Sequence, residues 1–186
     1  MRSFLLLGLL AAAGCGGGTT GETTTPEAVD DTPFIALQRD FQSFSTWEHF
    51  HLEGDGSGTP HTGGNRDIYL NKRPAKGATQ FPNGTIIVKR TDGVGDPDNG
   101  GPRTFAMVKR GGDYNQNGAL NWEWFELVQS DVENPSSPWL ISWRGLGAPA
   151  GGAYGSTDGG CNGCHAQGSA NDYVQAVVLQ LSALAR

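Results

Sequence analysis

The sequence predicts an α+β fold: a small antiparallel β-sheet of four to five strands with flanking N- and C-terminal helices. Three observations predict it. Between Arg66 and Gln129, short runs alternate apolar and polar residues and are separated by turn chemistry, the mark of sequential strands. On both sides of that region apolar residues recur at three- and four-residue steps, which is a helical period. The 29 glycines and 10 prolines among 186 residues demand many turns, so the sheet must be small and loop-rich.

The chain opens on an export signal. Arg2 supplies a short basic region, Phe4 to Leu10 an apolar core, and Ala12-Ala13-Gly14-Cys15 small residues ending in cysteine. This resembles a bacterial lipobox, in which cleavage precedes the cysteine and the cysteine takes the lipid. Residues 1–14 are therefore read as a lipoprotein signal peptide and Cys15 as the lipidation site. The apolar run is well short of the ~20 residues a spanning helix needs. Residues 15–33, rich in Gly, Thr and acidic side chains, read as a flexible tether. Residues 34–186, about 150, suffice for one domain with one modest core. The absence of aspartate at Gly16 leans towards the outer membrane, with the domain facing the periplasm or exterior. A net charge of −6 argues against nucleic acid as a partner.

Phe34, Leu37, Phe41 and Phe44 predict the N-terminal helix over 33–46. Residues 67–71, 85–90, 104–109 and 121–129 follow as strands in an antiparallel meander. Asn83-Gly84 supplies the positive φ for the turn before the second of these. The loop 110–119 begins as D-x-N-x-N-G, like a calcium-binding loop. Its twelfth position is Trp124 where a bidentate glutamate is required, so a hairpin is expected instead. Trp122 and Trp124 alternate to one face of their strand, as core or as the lining of a pocket. Residues 137–147 are apolar but too short to assign. Tyr173, Val174, Val177, Val178, Leu181 and Leu184 predict a C-terminal helix.

Cys161-Asn162-Gly163-Cys164-His165 carries the chemistry. C-x-x-C-H is the attachment signature of a c-type haem: each thiol adds to a vinyl group and the histidine becomes the axial ligand of the iron. With only three cysteines, one of them Cys15, no pair is left for a structural disulfide. Zinc would need further ligands at recognisable spacing, and a thioredoxin-like site would need a βαβ context. One covalent haem c near the C-terminus, held by Cys161, Cys164 and His165, is the expected cofactor.

Ile68-Tyr69-Leu70-Asn71, Phe81-Pro82-Asn83-Gly84-Thr85-Ile86-Ile87-Val88-Lys89, Ala106-Met107-Val108-Lys109-Arg110 and Trp122-Glu123-Trp124-Phe125, followed by a single C-x-x-C-H, together resemble the cytochrome P-460 family, which includes the c′-beta cytochromes. The resemblance implies a small antiparallel sheet and a five-coordinate haem. It also implies oxidation of hydroxylamine to nitrous oxide or nitric oxide, with electrons passing to a soluble cytochrome acceptor. The family's crosslinking lysine matches Lys89, which strand alternation puts on the face of Ile87; whether that crosslink exists here stays open. Proton loss calls for a distal carboxylate, for which Asp158 is a candidate by position. Homodimers are usual in the family. Two other readings stand beside the enzyme. One is a c′-beta-like nitric oxide binder capped by Phe81 or Phe50. The other is an electron-transfer protein whose sixth ligand is Met107, His49, His51 or His61.

Overall fold

A computed structural model describes residues 32–54, 64–93, 101–146 and 160–186. The expected signal peptide and lipidation site Cys15, most of the expected tether, His61 and Asp158 lie outside them.

Six strands form one antiparallel sheet in chain order: β1 (Glu48–Leu52), β2 (Arg66–Leu70), β3 (Ile86–Thr91), β4 (Arg103–Lys109), β5 (Trp122–Gln129) and β6 (Trp139–Gly145). The expected meander is present and extends by one strand at each edge. β1 was hidden because Trp47-Glu48-His49-Phe50-His51 has few apolar residues. β6 was hidden because Trp139-Leu140-Ile141 does not alternate. Period-2 alternation divides the side chains into two layers. One face carries Tyr69, Ile86, Val88, Ala106, Val108, Phe125 and Leu127 and is covered by Ala36, Phe41 and Phe44 from the N-terminal segment. The other carries Ile68, Leu70, Ile87, Met107, Trp122 and Trp124 and is covered by Val174, Leu179, Leu181 and Leu184 from the C-terminus.

The flanks are less helical than expected. In place of one helix over 33–46 there are two 3-10 turns, Gln38–Phe41 and Phe44–Thr46. Phe41 and Phe44, three residues apart, both reach the sheet from such turns. Gln42 Nε2 donates to Gln38 O at 2.7 Å, and Thr46 Oγ1 to Ser43 O at 2.8 Å. These side chains compete for the backbone groups a continuous helix would use. The C-terminal helix likewise resolves into a 3-10 turn (Val177–Leu179) and the single turn α2 (Leu181–Leu184). Asn171 disrupts it. Its amide donates to Val174 O and Leu179 O, and its Oδ1 accepts from Leu181 N. None of the described helices is long and apolar enough to cross a membrane.

Candidate functional site

The C-x-x-C-H motif forms a short helix, α1 (Gly160–His165), entered through Gly160 at φ 55° and continued by a 3-10 stretch, Ala166–Asn171. The second motif residue is its anchor. Asn162 is 1 % exposed, and its Oδ1 accepts from Asn115 Nδ2 at 2.7 Å, Trp124 Nε1 at 3.0 Å and Ala119 N at 3.3 Å. Its own amide donates to Asn115 Oδ1 at 2.8 Å. Asn115 in turn donates to the carbonyls of Ala119 and Trp122. The loop that resembles a calcium site is thus a hairpin whose asparagine grips the motif. A side chain at Gly118 would strike the Asn162 amide at 2.2 Å, which explains a glycine there. The one sequence signal was the pairing of an Asn in the loop with an Asn inside C-x-x-C. Neither says that they meet.

Both motif cysteines are free thiols. Burial pushes the Cys161 thiol up to about 11, opposite to the lowered pKa of a disulfide-exchange cysteine. His165 lies against Trp124, ring centroids 4.5 Å apart, and its Nδ1 is 2.7 Å from Tyr173 O. Since a carbonyl only accepts, Nδ1 carries the proton and Nε2 presents its lone pair. Burial lowers the His165 pKa to about 4, so the ring stays neutral, as a ligand must be.

Lys89 reaches the motif. Its pKa falls to about 7, first because of burial and then because of Arg66, and the two motif cysteines work in the opposite direction; Lys89 in turn lowers the pKa of His165. The side chain is half-buried by surface. Sheet register gives the row to which it belongs: Phe50, Ile68, Lys89, Phe105, Glu126 and Trp143 sit side by side across all six strands. Of these only Ile68 is fully buried. The neighbouring row, Leu70, Ile87, Met107 and Trp124, is sealed under the C-terminal segment. Hence one half of this face is closed core. The other half displays aromatic rings, an amine and a carboxylate beside Cys161.

Glu126 was missed by sequence reasoning, because it reads as an ordinary polar residue of β5. It lies near enough to Cys161 to raise the thiol's pKa, and it pairs with Arg103 at 2.9 Å. Arg103 also stacks over Phe105 at 4.6 Å. Arg66, on the same face, donates to Glu53 O at 3.2 Å yet leaves its buried Nε without a partner. An orphaned guanidinium nitrogen, an unpaired lysine, half-covered aromatic rings and a free imidazole Nε2 together fit a flat, apolar cofactor with anionic substituents, which is what a haem is.

His49 and His51 point the other way. They project from the face of β1 opposite Phe50, and both bond Asp67 Oδ1, at 2.8 and 2.9 Å. That pairing raises the His51 pKa and lowers that of Asp67. Neither histidine is placed to reach a group beside His165. Met107 and Phe81 are core: Phe81 packs edge-on against Trp122 at 5.9 Å. Phe50 alone of the expected capping rings lies in the open row. No group of three His, Cys, Asp or Glu side chains that could hold a metal ion occurs among the described residues. A concavity of about 600 Å³ lined by Phe34, Arg39, Asp40, Trp47, Asn71 and Ile86 lies on the N-terminal side, away from the motif. It contains neither cysteine nor histidine, so chemistry rather than volume locates the candidate site at Lys89. No protein-family model matches the chain, and no curated protein or solved structure is significantly similar to it.

Proposed function

We propose that this protein is a mono-haem c-type cytochrome of the P-460 type, tethered by lipid at Cys15, that oxidises hydroxylamine to nitric oxide or nitrous oxide. The observation that carries the proposal is the convergence of Lys89 with Cys161 and His165 on the open half of one sheet face.

A haem held here by Cys161, Cys164 and His165 would supply the redox chemistry that hydroxylamine oxidation needs, with a soluble cytochrome as electron acceptor. The chain's own residues divide the remaining work. Cys161 and Cys164 provide the thiols for attachment. His165 offers Nε2 while Tyr173 O fixes its tautomer. Lys89, with a pKa of about 7, is substantially a neutral amine at neutral pH, the form able to bond to a haem edge. Glu126 accepts the protons that leave with the electrons. It lies two strands from Lys89 in the same row, about 10 Å by strand spacing. Asp158, the carboxylate expected in that role, lies outside the described residues. Arg103 Nη2 donates to Glu126 Oε1 at 2.9 Å and so orients the carboxylate.

The test is the absorption spectrum of the reduced protein, with the mass of its haem peptide. A strongly red-shifted Soret band and a haem peptide joined to the Lys89 peptide are expected. An ordinary c-type spectrum with no such mass overturns the hydroxylamine reading and leaves a c′-beta-like nitric oxide binder, with Phe50 and Phe105 as its apolar wall.

A further inference from the structure

Behind the candidate site lies a second lysine that the activity above does not use. Lys109, at the end of β4, is on the same sheet face as Lys89 but is sealed beneath the C-terminal segment. Its Nζ is 2.5 Å from Asp172 Oδ1, and the two side chains are 3 % and 4 % exposed. Asp172 Oδ2 accepts from Phe81 N at 2.9 Å. The Lys109 ammonium also lies 5.2 Å from the centre of the Trp122 ring. Trp122 Nε1 has no partner of good hydrogen-bond geometry; burial raises the Asp172 pKa, while Lys109, Phe81 N and Trp122 work in the opposite direction.

So costly a pair needs a purpose, because a buried ion pair is generally no more stabilising than packed hydrocarbon. Asp172 and Tyr173 are consecutive left-handed residues, at φ 50° and 67°, and neither is glycine. Each such conformation costs about 1–3 kcal/mol and persists only where its surroundings over-determine it. Here the surroundings are Lys109 and Phe81 N on the aspartate side chain, with Ser169 O and Gly168 O accepting from the two backbone amides at 3.2 and 2.8 Å. The double turn reverses the chain, so that the Tyr173 carbonyl faces back to His165 Nδ1.

We infer that the Lys109–Asp172 ion pair is a positioning device for the axial histidine: by pinning the left-handed turn it holds the Tyr173 carbonyl on His165 and thereby sets the strength of Nε2 as a ligand. The inference rests on the haem reading of the site. A firm Nδ1–H···O=C bond makes an imidazole a stronger donor and favours the ferric state. Lys109 and Asp172 touch no cofactor and act only through the turn.

The test uses K109M/D172N, which removes both charges together and leaves no buried ion unpaired. Asn tolerates the left-handed region and can still accept from Phe81 N. In the ferrous haem protein, the iron–histidine stretching frequency is expected to fall and the reduction potential to rise, with covalent haem retained. Unchanged values in a folded variant overturn the inference. Should the double variant fail to fold, D172N alone is measured in the same way, since Lys109 can then shed its proton. Wild-type protein that takes up no covalent haem would defeat the functional reading instead. The inference would then be read from the imidazole nitrogen shifts of His165: a single Nδ1–H tautomer that becomes a mixture in the variant supports it, and no change overturns it.

Discussion

Lys89 and Lys109 stand on the same face of the same sheet, two strands' worth of sequence apart, and they live in opposite circumstances. Burial lowers the pKa of both. Lys109 has a carboxylate 2.5 Å away, whereas no carboxylate among the described residues bonds Lys89, on which the largest charge effect comes from another cation, Arg66. The first lysine is therefore tied to a carboxylate inside closed core. The second is pushed towards a neutral, nucleophilic amine in the open half of the face. The same residue type serves as a strut or a reagent according to whether an anion was provided for it.

The comparison is broken or sharpened most strongly at Glu126, the carboxylate that Lys89's row does contain. If the open row is chemical, Glu126→Gln should slow hydroxylamine oxidation by about 10²–10⁴-fold in a stopped-flow assay while leaving haem content unchanged. Lys109→Met should be the most destabilising change, lowering unfolding free energy by about 3–5 kcal/mol in urea, because Asp172 would be left buried and unpaired. Lys89→Met should behave in the contrary way. The haem-free protein should keep its stability to within about 1 kcal/mol or gain, since no partner is orphaned.

The pH dependence follows from the same contrast. Lys89 has a folded pKa of about 7 against an ordinary 10.5, so between those values the unfolded chain binds the extra proton. Its cost to stability is therefore full below about pH 7 and fades as pH rises towards 10.5, and any gain in Lys89→Met should be larger at pH 6 than at pH 9. Acylation of the haem-free protein should modify Lys89 increasingly as pH passes 7, with Lys109 untouched until the protein unfolds. Equal labelling of the two lysines would erase the distinction. The smallest effect concerns His165, whose pKa drops from 6.5 to about 4 on folding. Its neutrality costs stability only as pH falls through that interval, so His165→Gln should flatten a shallow acid limb in thermal melts.

Much of the fold was legible because its signals are local. The strands Ile86–Thr91, Arg103–Lys109 and Trp122–Gln129 stand out through period-2 alternation bounded by glycine turns, and short loops between them force an antiparallel meander. The edge strands escaped because Glu48–Leu52 is polar on the face that meets Asp67, and because Trp139–Gly145 carries a register shift opposite Glu126/Leu127. The terminal helices were overestimated because a three-residue hydrophobic step suits 3-10 turns as well as a helix. Only side-chain hydrogen bonds to the backbone, such as those of Gln42 and Asn171, decide between them.

The sequence by itself determined the C-x-x-C-H motif, the meander and the face on which Lys89 stands, since each depends on residue type and spacing along a short stretch. Tertiary structure alone decided what those features meet. It joined Asn115 to Asn162 and Lys109 to Asp172, turned Tyr173 O towards His165, set Glu126 in the row of Lys89 and sent His49 and His51 to the opposite side. The physical reason is that pattern reports the direction of a side chain relative to its own strand, whereas partnership depends on where distant segments pack. The burial that shifts the Lys89 pKa to about 7 exists only once segments distant in sequence have packed together.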